Sequence, residues 1–147
     1  MAQPSHIRRA EISDTEGIRA CIEAAYSVYQ DRIADLPDVA AEIEDQIRND
    51  TVLVQIYDEQ ISGCAVLDLA AERAKLVNIA VSPLSSGKGL GKALILECER
   101  VCITHRCNEL DLVTHTNMQG NIDLYTHLGW RETGRSGNKV NMTKTLS

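Results

Sequence analysis

The stretch that decides the fold is Val77-Asn78-Ile79-Ala80-Val81-Ser82-Pro83-Leu84-Ser85-Ser86-Gly87-Lys88-Gly89-Leu90-Gly91-Lys92. Residues 75–81 form an apolar, β-branched run that reads as a strand, and Ser82-Pro83 stops it. Three closely spaced glycines follow, after which Leu94, Ile95, Cys98, Val101 and Cys102 recur at helical steps. A strand, a glycine-rich loop and a helix in this order aim main-chain N–H groups outward, with the positive end of the helix dipole behind them, and such a site holds an anion. Glycines suit it because a diphosphate approaching main-chain amides leaves no room for Cβ atoms. Lys88 and Lys92 add positive charge beside Gly87, Gly89, Leu90 and Gly91. Two well-known glycine patterns do not fit. Walker A needs four residues between its glycine and Gly-Lys, whereas Gly87 and Gly91 enclose three, and Ala93 replaces the metal-binding Ser or Thr. A dinucleotide fingerprint needs Gly-x-Gly-x-x-Gly, and here the third glycine arrives one residue early.

Upstream, residues 7–10 suit a short strand, and Ser13 and Glu16 are spaced as a capping box. Ile18, Cys21, Ile22, Ala25, Tyr26, Tyr29 and Ile33 then mark an amphipathic helix. Leu36-Pro37-Asp38 breaks it, and Val39, Ile43 and Ile47 predict a second, shorter helix. Residues 51–57 and 61–69, separated by Asp58-Glu59-Gln60, read as a hairpin. Downstream, residues 109–114 alternate as a strand, 121–128 suit a short helix, and 140–146 close the sheet. Antiparallel strands first and a β-loop-α-β crossover later predict an α/β protein, a mixed sheet flanked by helices.

At 147 residues the chain has the size of one domain, taken here as residues 1–147. It contains no Phe, so Leu, Ile, Val and Ala must fill the core, and Trp130 and the four Tyr stand out as candidates for more than packing. A net charge of −6 opposes a sequence-independent grip on nucleic acid or an anionic membrane, so neither is expected as a partner. Five cysteines, at 21, 64, 98, 102 and 107, lie inside apolar stretches and are not laid out as a disulfide frame. With no apolar signal segment at the start, a reduced, cytoplasmic protein is the expectation. Cys98, Cys102 and His105 share a helical face, but the two thiols continue an apolar stripe, so no metal is expected.

The glycine loop resembles the acyl-CoA loop of the GNAT superfamily of N-acetyltransferases, written Q/R-x-x-G-x-G/A, and residues 77–83 resemble the strand and turn that precede it. Asn121, Leu124, Tyr125, Leu128, Gly129 and Trp130 are similar to a later segment of that family, in which an Asn precedes a Leu-Tyr pair and a short helix ends at Leu-Gly-aromatic. The stretch around Ala25, Tyr26 and Tyr29 resembles a small bacterial branch. The likeness spans residues 7–146 and is most specific over 77–91 and 121–130. The first motif position, Gln or Arg in the family, is Ser86 here.

This resemblance implies a GNAT-like acyl-CoA-binding fold and transfer of an acetyl group from acetyl-CoA, as co-substrate, to a primary amine of a small molecule or peptide. It also implies pairing of two copies. Such a transfer needs a neutral amine, a donor for a tetrahedral oxyanion and a proton for the departing thiolate. Tyr125 matches the family's tyrosine, and a phenol with an ordinary pKa of about 10 carries the proton a thiolate needs. Main-chain N–H groups of Ile79, Ala80 and Val81 would polarise the thioester. Ser86 to Lys92 would hold the diphosphate, and Asn121 would either bond the pantetheine arm or cap its helix. For a general base, Lys75 stands where the family often has Glu, and Glu72, Asn78 (through a water) and His115 are the other candidates. Asp31, Asp35, Asp38, Glu42, Glu44, Asp45 and Asp50 would attract a cationic amine if that region lines the acceptor entrance, as in the family. A domain of the same fold that binds or senses acyl-CoA without turnover is the second reading.

Overall fold

The computed structural model describes residues 6–27, 43–70, 72–82, 89–116 and 118–146. Among the described residues seven strands form one sheet: β1 (His6–Arg9), β2 (Thr51–Tyr57), β3 (Gln60–Leu69), β4 (Arg73–Val81), β5 (Glu109–His115), β6 (Arg131–Ser136) and β7 (Lys139–Thr145). Their spatial order is β1-β2-β3-β4-β5-β7-β6. Every neighbouring pair is antiparallel except β4 and β5, which are parallel and joined by the crossover through α3 (Leu90–Thr104). Helices α1 (Thr15–Ser27) and α2 (Ile43–Asn49) precede β2, and α4 (Gln119–His127) links β5 to β6. This is the expected α/β arrangement.

Strand alternation splits the core into two. On one face Ile18, Ile22 and Ile43 from α1 and α2 pack on Val52, Val54, Cys64 and Val66. On the other, Leu94, Ile95, Cys98 and Cys102 of α3 and Ile122 and Tyr125 of α4 pack on Leu53, Ala65, Leu67, Leu76, Leu110, Leu112 and Met142. Each fully buried Leu or Ile contributes about 1.5–3 kcal/mol by leaving water. The side chains are aliphatic almost throughout, as a chain without Phe requires.

Several local expectations change. The first helix begins at Thr15 after a 3-10 turn over Ile12–Asp14, so Ser13 lies inside the turn and is not the cap. Glu11 holds the cap position and Asp14 closes the capping box: the Asp14 carboxylate accepts the Glu11 N–H at 2.7 Å and a two-pronged bond from Arg8 at 2.8 and 3.0 Å. The first hairpin turns on Asp58 and Glu59 alone, both at positive φ, and β3 starts at Gln60. Helix α4 starts at Gln119, two residues early, and β7 at Lys139, one early. Strand β6 has no counterpart in the sequence reading. The expected continuation of the first helix to Ile33 and the second helix's start at Val39 lie outside the described residues.

One irregularity positions the site. In the β3–β4 ladder Val66 pairs with Asn78 and Leu67 with Leu76, leaving Val77 as the extra residue of a bulge. The bulge exchanges the faces of β4. Before it, Ala74 and Leu76 pack toward α3; after it, Ala80 packs with Ile18 and Ile22, while Ile79 and Val81 turn toward α3.

Candidate active site

β4 and β5 pair only from Arg73↔Glu109 to Leu76↔Leu112. β4 continues to Val81 held by β3, and β5 continues to His115 held by β7, so the two strands part and a V opens within the sheet. The closed end is clamped. Arg73 donates two bonds of 2.8 Å to the Asp111 carboxylate, and the Thr143 hydroxyl of β7 adds a third at 2.6 Å. Arg73 and then Thr143 hold the Asp111 carboxyl below the usual carboxylate range.

The register decides which main-chain groups line the V. Ser82 donates its N–H to the Ser62 carbonyl at 2.8 Å, and bonded pairs alternate along an antiparallel ladder. Cys64↔Ala80 is therefore a bonded pair, while Gly63↔Val81 and Ala65↔Ile79 are not. The N–H groups of Ile79 and Val81 face away from β3, into the opening. Ala80 is a correction to the expected trio, because its amide belongs to the ladder.

The start of α3 closes over this opening. Gly89 takes a left-handed φ of 72° as the residue before the helix, and the first helical rung runs from the Ala93 N–H to the Gly89 carbonyl at 3.1 Å. The N–H groups of Leu90, Gly91 and Lys92 precede that rung. Leu90 buries its side chain and Lys92 is exposed. A Cβ on Gly91 would stand 3.8 Å from Val81 and 3.9 Å from Leu124, so the helix start, the end of β4 and α4 converge on this residue. Ser86, Gly87 and Lys88 lie outside the described residues.

Helix α4 presents Tyr125, which is 4% exposed. The sequence Tyr125…Leu128-Gly129-Trp130 is a Schellman ending: the Trp130 N–H reaches the Tyr125 carbonyl at 3.0 Å and the Gly129 N–H reaches the Thr126 carbonyl at 3.1 Å. Gly129 supplies the left-handed φ of 98° that this turn requires. Trp130 folds back so that its ring centroid lies 5.6 Å from that of Tyr125, the apolar contact typical of the motif. Packing is thus the role of Trp130, as expected. Lys144 of β7 fixes the same helix end, donating to the Leu128 carbonyl at 2.7 Å and to Glu99 of α3 at 2.9 Å. Asn121 is not the helix cap. Met118 holds that position, and the Asn121 amide lies 3.7 Å from the Met118 sulfur.

The candidate bases separate by position. Lys75 is paired with Asp111 inside the closed segment, one position before its last pair, and Glu72 lies before β4 altogether. Asn78 and His115 both lie beyond the last β4–β5 pair. By alternation they share the face of the sheet that α1 covers, opposite Tyr125. Cys98 and Cys102 are core residues, and His105 turns its Nδ1 to within 2.9 Å of the Val101 carbonyl at the end of α3. Burial pushes the Cys102 thiol up to about 12. Among the described residues no helix is long and apolar enough to cross a membrane.

Solved structures share this architecture at low identity. An N-acetyltransferase from Thermoplasma acidophilum, crystallised in complex with coenzyme A, is 19% identical and superposes with a TM-score of 0.88 over 97% of this chain and 99% of its own. Ard1 from Thermoplasma volcanium gives 19% and 0.81 over 97% and 98%. The ribosomal-protein-S18-alanine N-acetyltransferase of Escherichia coli gives 21% and 0.76 over 98% and 95%. No curated protein matches by sequence. The profile of the acetyltransferase (GNAT) family matches residues 18–130, from the first turns of α1 to the tryptophan that ends the Schellman turn, and the chain belongs to that family.

Proposed function

We propose that this protein is an acetyl-CoA-dependent N-acetyltransferase that moves an acetyl group to a primary amine of a small molecule or peptide by direct attack in a ternary complex. The observation that carries the reading is the V between β4 and β5, with the N–H groups of Ile79 and Val81 turned into it and the start of α3 against its rim. In this reading the segment Ser86 to Lys92 holds the diphosphate and Asn121 lies beside the pantetheine arm. A main-chain N–H of Ile79 or Val81 bonds the thioester oxygen as it gains charge. One well-placed donor of this kind lowers a barrier by about 2.7–4 kcal/mol. The amine enters from the α1 face, where Asn78 and His115 stand, and loses its proton toward that side. Tyr125, on the opposite face, donates a proton to the departing thiolate. The relative crystallised with coenzyme A supports the donor, and the relative named for acetylating an alanine supports an amine acceptor.

The acceptor is a cationic amine in this reading. Glu44 and Asp45 lie exposed on α2. At the end of that helix, burial and the neighbouring charge of Asp68 hold the Asp50 carboxyl above its ordinary value. Asp31, Asp35, Asp38 and Glu42 lie outside the described residues.

Two measurements test the proposal in sequence. CoA at one hundred times its dissociation constant should stabilise the protein by about 2.7 kcal/mol, read as a thermal shift. Acetyl-CoA should then release free thiol with one or more amines of a panel, cationic ones fastest and with a salt-sensitive rate. Neutral amines reacting faster, at a rate indifferent to salt, overturn the cationic acceptor. CoA binding without thiol release from any amine turns the reading into that of an acyl-CoA-binding domain.

A further inference from the structure

We propose that Gln55 of β2 is a positioning residue that sets the direction and donor strength of the Gly91 amide; the inference rests on the reading of the α3 start as the diphosphate site. Gln55 is fully buried, and its Nε2 donates to the Leu90 carbonyl at 3.0 Å. That oxygen belongs to the same peptide unit as the Gly91 nitrogen. In a planar trans peptide the C=O and N–H point in opposite directions, so an oxygen pinned inward by the sheet holds the Gly91 N–H pointing out of the helix start. A hydrogen bond to the oxygen also polarises the unit and makes its N–H the better donor to an anion.

The surroundings are built for this contact. Gly63 is the cross-strand partner of Gln55. A Cβ on Gly63 would stand 2.9 Å from the Gln55 Oε1 and 3.3 Å from both the Ala80 carbonyl and Leu94, so the glycine provides the room the amide occupies. Among the described residues Oε1 has no hydrogen-bond partner. A buried amide that satisfies its donor and not its acceptor is poor design for stability, and an apolar side chain of the same length would relieve it. What the glutamine supplies that such a side chain cannot is the bond to Leu90.

Stability and affinity should therefore move apart. In Gln55→Met the melting temperature stays at or above that of the native protein, while the dissociation constant for CoA, measured by calorimetry, rises about fivefold, the ordinary net worth of one hydrogen bond. Pantetheine, which lacks the diphosphate, should displace CoA from the variant with its own affinity unchanged. Gly63→Ala, which pushes the Gln55 amide aside, should produce the same diphosphate-specific loss and serves if the methionine variant does not fold. Unchanged CoA affinity, or equal losses for CoA and pantetheine, overturns the role of Gln55 while leaving the site in place. A native protein that binds no CoA overturns the site itself, and the proposal with it.

Discussion

Where β4 and β5 are paired, over residues 73–76 and 109–112, the junction is an ordinary piece of sheet, backed by Leu76, Leu110 and Leu112 and clamped by Arg73, Asp111 and Thr143. A few residues further along the same strands, pairing stops, main-chain amides face an opening, and the start of α3 lies against the end of β4 while Tyr125 is buried on the same face of the sheet. The difference teaches that the candidate site in this chain is made by withholding ladder bonds after a region that secures the strands. Unpaired main-chain donors are costly when buried without a partner, so the amides of this opening need water or a polar ligand against them. The two ends should therefore answer differently to substitution.

The largest effect belongs to the closed end. Leu112→Ala, at the last paired position and 3% exposed, should lower stability by about 2–5 kcal/mol in denaturant titrations, while the folded protein keeps its CoA affinity. Affinity falling with stability unchanged would show that the two ends are not separable. At the open end, Tyr125→Phe should reduce turnover about a hundredfold with melting temperature and CoA affinity nearly native. Full turnover in that variant removes the tyrosine from the mechanism. Next comes Gly89→Ala: a Cβ meets nothing within 4 Å there, so the cost is the left-handed backbone alone, about 1–2 kcal/mol of stability. The smallest change is Asp111→Asn, which should lower the melting temperature slightly at neutral pH. Because Arg73 holds the Asp111 pKa below its unfolded value, the contribution is present above the unfolded carboxylate range and is lost as pH falls through the folded value. Melting curves of the two proteins should converge in acid; a constant gap would assign the effect to something other than the clamp.

Much of this was legible in the residues. The run 77–91 announces strand, loop and helix because Pro83 and the glycines break one period and Leu94 begins another. Leu128-Gly129-Trp130 is readable because a left-handed helix ending demands glycine and rewards an apolar residue after it. Strand β6 was not readable: its residues are exposed on both faces except Gly134, so burial imposes no alternation. The bulge at Val77 is silent for a different reason, since an extra residue in an apolar run leaves the composition unchanged, and with it went the distinction between Ala80 and its neighbours. Gln55 sits in a β-branched run where a lone polar residue looks like the solvent side of a strand. Only the tertiary approach of Leu90, 35 positions away, reveals it.

The strand order has a kinetic consequence. β7 lies between β5 and β6 although it follows both in the chain, so β6 cannot join the sheet ahead of it. β7 must dock on β5 with β6 or ahead of it, and the docking carries Lys144 beneath the end of α4. The helix that bears Tyr125 is therefore seated by one of the chain's non-local assembly events, of the kind that loop-closure entropy makes slow. In a refolding experiment, recovery of turnover should track the docking of β7 and trail the recovery of helical signal.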